Sequence, residues 1–138
     1  MQFRKNAIPK NELAPLGLTA NQNETKQMST MTRLEKIRQM LAAEPRDEFL
    51  RYALAMELDS AGQHNESLAA YQELMQDRPA HVPSFFRAGQ LLVRMGRADD
   101  AKSTLTQGVQ FALSQGDSHA AAEMNELLGS LEVNDDVL

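Results

Sequence analysis

The chain has no cysteine and no tryptophan, and aromatic residues make up 5% of its 138 residues. Without cysteine it has neither a disulfide framework nor a thiolate metal site, a composition typical of a reducing compartment. No apolar run reaches the roughly 18 residues of a membrane span, and the first residues lack the apolar core of about 7–15 residues found in secretion signals. We therefore expect a soluble, cytoplasmic protein with no membrane partner.

Basic charge is also scarce. Lysine and arginine number 14 against 19 aspartate and glutamate residues, which gives a net charge of −5 and an isoelectric point near 5.2. A nucleic-acid-binding face needs clustered basic side chains, so the sequence predicts no nucleic-acid partner. Residues 1–30 hold four basic and two acidic residues, a charge of +2, so the remaining residues sum to −7.

Motifs that carry chemistry are missing as well. The chain contains no glycine-rich phosphate loop and no pair of carboxylates in an apolar setting. Asp117, Ser118 and His119 are adjacent, so their side chains diverge and cannot form a nucleophile–base relay. His119 and Glu123 share a helix face, but two such ligands seldom make a metal site. We predict no catalytic residue, no metal, no cofactor and no small-molecule substrate, and so not an enzyme.

What the sequence does contain is a repeat within residues 48–115. A fixed period of about 20–50 residues is typical of stacked helical units, none of which can bury its apolar face alone. Proline, small, leucine and glycine landmarks recur after 34 residues, in the pairs Pro45/Pro79, Ala55/Gly89, Leu58/Leu92 and Gly62/Gly96.

Helix signals divide residues 32–131 into six segments. Thr32 and Glu35 have capping-box spacing at the start of a helix over residues 32–44, and Asp47 has the character of a helix cap. Glycines 62, 96 and 116 are expected to end helices in the left-handed conformation. The five further helices are expected at about residues 47–61, 65–77, 83–96, 99–116 and 117–131. The last should close the stack with a polar outer face that includes His119, Glu123, Asn125, Glu126 and Ser130.

The two ends differ from this central region. Residues 1–30 show no apolar stripe at helical spacing and therefore gain little burial to offset the entropy cost of ordering. We predict a disordered or extended arm at 1–30, a repeat domain at 31–131 and a frayed tail at 132–138.

The two full units resemble tetratricopeptide repeats. The resemblance implies an all-α fold of antiparallel helix–turn–helix repeats stacked as a short right-handed α-solenoid. It covers about residues 32–131, as two repeats with a preceding half repeat and a C-terminal capping helix. Two positions depart from the family pattern: Arg51 stands where tryptophan is most common, and the second unit lacks a closing proline, which predicts a longer second helix. The pattern is carried by Leu54, Ala55, Leu58, Gly62, Ser67, Tyr71 and Pro79, then by Phe85, Ala88, Gly89, Leu92, Gly96, Ala101 and Leu105.

In this family the first helices line a concave groove that holds an extended peptide or a helix of a partner. The resemblance implies that Arg94 can hold a carboxylate there. The Lys and Asn set with which some members clamp chaperone tails does not appear, since Arg87 and Arg94 are the basic residues of this region. The expected groove residues are Phe49, Tyr52, Met56 and Asp59 in the first unit, and Phe86, Gln90, Val93 and Arg94 in the second.

Three functions are consistent with the predicted helical repeat and its groove. The first is a small adaptor that binds a peptide or helix of a partner protein in the apolar groove. The second is a structural subunit or homo-oligomer that assembles through the open helix 32–44. The third is an escort chaperone for one hydrophobic client. A groove filled by the final helix or by the N-terminal arm is the alternative to partner binding.

Overall fold

The computed structural model describes residues 31–137, with side chains to Val133. Over this range the chain forms helices and no strand, which confirms the all-α prediction. The last helix runs to Val137. The predicted boundary between a repeat domain that ends at 131 and a frayed tail at 132–138 stays a prediction. The predicted arm at 1–30 lies outside the described residues. The helices are α1 (Arg33–Ala43), α2 (Glu48–Ser60), α3 (His64–Met75), α4 (Val82–Arg94), α5 (Ala98–Ser114) and α6 (Ser118–Val137).

The chain divides into two units between Lys36 and Ile37, a boundary that falls within α1. The described part of the first unit holds the start of α1. There the Thr32 hydroxyl accepts the Glu35 N–H at 3.1 Å, and the Glu35 carboxylate accepts the Thr32 N–H at 3.3 Å. This reciprocal pair satisfies two backbone donors at the helix start and confirms the predicted capping box.

In the second unit, two helix starts are capped by aspartate, and the cap at Asp47 is the one predicted from the sequence. Asp47 Oδ1 accepts the Leu50 N–H at 2.8 Å at the start of α2. Asp117 Oδ1 accepts the Ala120 N–H at 3.0 Å at the start of α6, so Asp117 caps this helix. A proline lies in the first turn of α4, where its missing N–H removes no helical hydrogen bond.

The predicted glycine stops are confirmed by the backbone. Gly62 has a φ of 81°, and Gly96 has one of 77°, a region that glycine enters without a steric penalty. The Gly62 N–H bonds to the Asp59 carbonyl, and the next residue bonds to the Leu58 carbonyl. The same pair of bonds recurs 34 residues later around Gly96, so the repeat seen in the sequence is also a repeat of hydrogen bonds.

The core of the second unit lies between consecutive helices from α2 to α6. The helix α5 has 17 residues against 12 for α3, which confirms the longer second helix of the second repeat. The largest fully buried apolar side chains, all below 2% exposed, are Tyr71, Phe85, Leu74, Leu91, Leu92, Leu105 and Met124.

Small residues lie where neighbouring helices approach closely. Ala55 and Ala101 are 0% exposed, and a Cβ placed on Gly89 would lie 2.5 Å from Cδ2 of Leu105. A larger side chain at these positions has no free space to occupy, because protein interiors are close-packed.

Replacing Ala101 by leucine is therefore expected to overpack this crossing and lower the free energy of unfolding by about 1–3 kcal/mol. Thermal and urea unfolding, followed by helical circular dichroism, measure the change. Ala69→Leu is the matched control, because Ala69 is exposed on α3. An Ala101→Leu variant with an unchanged midpoint would contradict the close crossing.

Candidate partner-binding site

Tyr52, one of the predicted groove residues, is half-buried, and its ring packs against two aromatic neighbours. Its ring centre lies 4.8 Å from that of His81, at the start of α4, and 6.1 Å from that of Tyr71 on α3, both edge to face. Burial lowers the pKa of His81, which favours a neutral ring against Tyr52. The Tyr52 side chain therefore connects α2 with α4 and leaves part of its surface outward.

Arg94 and Asp59 join the far ends of the same two helices. The guanidinium donates to the carboxylate at 2.6 Å (Nη2 to Oδ2) and 3.2 Å (Nη1 to Oδ1). His64 Nδ1 lies 2.9 Å from Oδ1 of the same carboxylate. The hydrogen bonds from Arg94 are the main cause that lowers the pKa of Asp59. The family resemblance implies that Arg94 can hold a carboxylate, and in the structure Arg94 binds the carboxylate of Asp59.

This ion pair predicts a pH dependence. Because the pKa of Asp59 is lower in the folded chain than its ordinary value, its contribution to stability is present above the unfolded pKa of about 3.9 and is lost as the pH falls through the folded pKa. We expect wild type to exceed Asp59→Asn in unfolding free energy by about 0.5–1 kcal/mol at neutral pH. Urea unfolding at a series of pH values should show this difference vanish in acid; a difference that persists at the lowest pH would contradict the assignment.

Arg51, the departure from the family pattern, has a comparable structural role. Its guanidinium bonds to both carboxylate oxygens of Asp77, at 2.7 and 3.2 Å, across 26 residues of sequence. This pair lowers the pKa of Asp77. An ion pair from α2 to the segment after α3 thus occupies the place where an aromatic side chain is usual.

A depression of about 300 Å³ lies between α4 and α6. Phe86 and Leu127 are half-buried and pack against the core below it. An adjoining depression of about 420 Å³ shares Gln90 and Leu127 and adds Arg87, Val93 and Arg94. We call the first one the α4–α6 depression; its lining residues are Phe86, Gln90, Glu123, Glu126, Leu127 and Ser130.

The structure brings some of the predicted groove residues together and separates others. Phe86, Gln90, Val93 and Arg94 line the two depressions. Met56 is half-buried against the core, while Phe49 is 77% exposed at the start of α2 and lines neither depression.

The sequence placed α6 at the groove only in the alternative in which this helix fills it, and its residues were not predicted to line a depression. Glu123, Glu126 and Ser130 were expected on an outer face that closes the stack, but they line a depression together with Phe86 of α4. The sequence signal for this face was Leu127, an apolar residue that lies among these polar residues and indicates that the face is partly buried. Its i, i+4 and i, i+3 relations to Glu123 and Ser130 place them on one helix face.

The described residues contain neither a cluster of metal-ligating side chains nor a helix suited to span a membrane. Among residues 31–133, whose side chains the structure describes, no three His, Cys, Asp or Glu side chains are placed to hold a metal ion, and His119 Nε2 contacts Glu123 Oε1 at 3.5 Å. None of the helices in that range combines the length and apolar character that crossing a membrane requires.

Comparisons with known proteins identify the fold. No family model and no curated protein matches the chain. The solution structure of a tetratricopeptide repeat domain protein from Salinibacter ruber is 33% identical, with a TM-score of 0.61, over 64% of this chain and 89% of that one. A crystal structure of a tetratricopeptide repeat domain protein from Salinibacter ruber is 32% identical, with a TM-score of 0.58, over 63% and 97%.

A third structure, of a protein from Bordetella parapertussis, is 21% identical, with a TM-score of 0.69, over 78% of this chain and 94% of that one, and supports the fold alone.

Stacked helix–turn–helix units with a 34-residue period define a helical repeat module, a class typically used for protein–protein interaction. The chain belongs to the tetratricopeptide repeat family.

Proposed function

We propose that this chain is a non-enzymatic adaptor that binds a peptide or a helix of a partner protein on the surface formed by α2, α4 and α6. The observation that carries the proposal is the α4–α6 depression, where Phe86 and Leu127 keep part of their apolar surface exposed around the amide of Gln90. Exposed apolar surface rimmed by polar groups marks interaction sites.

The residues of this surface suit a bound segment of protein. An apolar side chain of the partner would pack between Phe86 and Leu127, and burial of that area would supply most of the affinity. The Gln90 amide has both donors and acceptors and would bond to the backbone of the segment. Phe49, far more exposed, would extend the apolar contact along α2.

Affinity capture from native lysate tests the proposal with three baits. One is wild type, one is Phe86→Ala with Gln90→Ala, and the control is Leu113→Ala, which removes an apolar side chain 59% exposed on α5. We expect a protein that is retained by wild type and by the control and lost by the groove variant. Arg94 is left unchanged because its loss would free the Asp59 carboxylate.

Capture that is equal for wild type and groove variant would overturn the proposal. Because Phe86 is half-buried, its removal can also disturb folding, so helicity is compared for all baits. Gln90→Arg serves as a second groove variant that fills the depression without removing core atoms. Retention of the partner by a folded Gln90→Arg variant would equally count against this surface.

One observation favours the second function, assembly through α1. Ile37 is buried, but Met40, one turn along α1, is 50% exposed. If copies of the chain associate through this helix, Met40→Glu should convert an oligomer to a monomer in sedimentation analysis, while Gln90→Arg should leave it assembled. A monomeric wild type would exclude self-assembly through α1.

A further inference from the structure

The charges around the α4–α6 depression are distributed unevenly. Both acidic side chains at its rim, Glu123 and Glu126, come from α6 and are exposed. They are three residues apart, which puts their Cβ atoms about 5–6 Å from each other on one helix face. A single guanidinium or ammonium group can therefore contact both carboxylates.

Within residues 31–133, no lysine or arginine forms an ion pair with Glu123 or Glu126. The carboxylate of Glu126 forms no ion pair there, and Glu123 contacts the ring of His119, which is 87% exposed, at 3.5 Å. On the facing helix, the Arg94 guanidinium is already bound to both oxygens of Asp59. The depression thus joins an apolar floor with a rim of negative charge on its α6 side.

We infer that the partner segment carries an apolar side chain flanked by lysine or arginine, with the basic group placed against Glu123 and Glu126. This rests on the proposed function, since it specifies the occupant of the same surface. Charge complementarity of this kind steers encounter and excludes wrongly charged partners. The net charge of −5 on the whole chain acts in the same direction at longer range.

The position of Arg87 predicts the orientation of the partner segment in the depression. Its exposed guanidinium lines the adjoining depression with Val93 and forms no ion pair with any side chain of residues 31–133. A basic group is disfavoured there. The basic residue of the partner therefore lies on the α6 side of its apolar anchor, and a neutral or acidic residue lies on the other side.

Peptide selection tests the inference without a known partner. Displayed random peptides of about 12 residues, long enough to cross the surface as an extended strand or a helix, are selected on the immobilised full chain at low salt. The enriched peptides are synthesised, and their Kd is measured by fluorescence anisotropy. We expect apolar residues next to lysine or arginine on one side, and affinity that falls as salt is added.

Two pairs of substitutions locate the charge effect. Glu123→Gln with Glu126→Gln should weaken binding by about tenfold, because two exposed ion pairs are lost. The reversal Glu123→Lys with Glu126→Lys should weaken it further. The matched control is Glu73→Gln with Glu132→Gln, which removes the same charge from exposed positions outside this depression and should leave the Kd within about twofold.

The outcomes separate the inference from the proposed function. Enriched peptides that are acidic, or whose Kd does not change in the Glu123→Gln, Glu126→Gln variant, would overturn the basic partner. If those peptides still lose affinity with Gln90→Arg, the groove proposal survives that result. Peptides that bind equally to wild type and Gln90→Arg would overturn the groove itself. A selection that enriches no peptide would overturn both.

Discussion

Replacing Phe85 by alanine is expected to lower the free energy of unfolding by about 3–5 kcal/mol. Phe85 is 1% exposed, and its ring centre lies 5.4 Å from that of Phe111 on α5. Its Cβ also approaches the backbone of α5 at Gly108. Truncation would leave a cavity between α4 and α5 that these close-packed helices can fill only in part. For a chain of this size, such a loss is a large share of the total stability.

Phe49→Ala provides the matched control within the first repeat. Phe49 is also near the start of a first helix, but its side chain is 77% exposed. We expect a change within about 0.5 kcal/mol. Urea unfolding of both variants measures the contrast, and similar losses for the two would show that the assigned core is wrong.

Replacing Gly108 by alanine is also expected to lower the free energy of unfolding, because it forces packed helices apart. A Cβ at this position would lie 2.5 Å from Sδ of Met124 and 2.6 Å from Cβ of Phe85. The second atom is fixed to its backbone, so the helices themselves must separate. We expect a cost of about 1–3 kcal/mol from overpacking, offset in part by a gain of about 1 kcal/mol in helix propensity.

Gly129→Ala on α6 isolates the propensity effect. A Cβ at Gly129 meets no atom within 4 Å, so the same substitution should raise the unfolding free energy by about 0.5–1 kcal/mol. Thermal and urea unfolding should show changes of opposite sign for the two variants. Stabilisation by Gly108→Ala of the same size would contradict the close contact of α4, α5 and α6.

Features set by nearby residues could be predicted from the sequence. The capping box at Thr32 and Glu35, the cap at Asp47 and the stop at Gly62 each depend on bonds that span three to five residues. The pairing of helices within each unit could also be predicted from the 34-residue period, because the two helices of a unit are close in sequence and the second unit repeats the first. The longer α5 also followed from a local fact, the absence of the closing proline.

Features set by packing across the stack could not be predicted. Arg94 and Asp59 are 35 residues apart, and Arg51 and Asp77 are 26 apart; neither pair follows from sequence spacing. The sequence offers 19 aspartate and glutamate residues as partners for Arg94 and Arg51. Only the geometry of neighbouring units decides which carboxylate each one binds.

The candidate site shows the same division. Phe86 and Gln90 were predicted from their place on a first helix, whereas the contribution of α6 depends on how the last helix is placed against α4. The placement of Leu127 opposite Phe86 brings the acidic residues of α6 to the rim. Their part in partner binding stays a proposal that the peptide selection tests.

The central claim is that the α4–α6 depression is the working surface of this chain, and site-specific photo-crosslinking tests it most directly. A photoreactive side chain replaces Gln90 inside the depression in one variant and Leu113 outside it in another, and each is irradiated in native lysate. The account predicts a specific crosslinked protein from position 90 and none from position 113. Crosslinking to a specific protein from position 113 alone would contradict it.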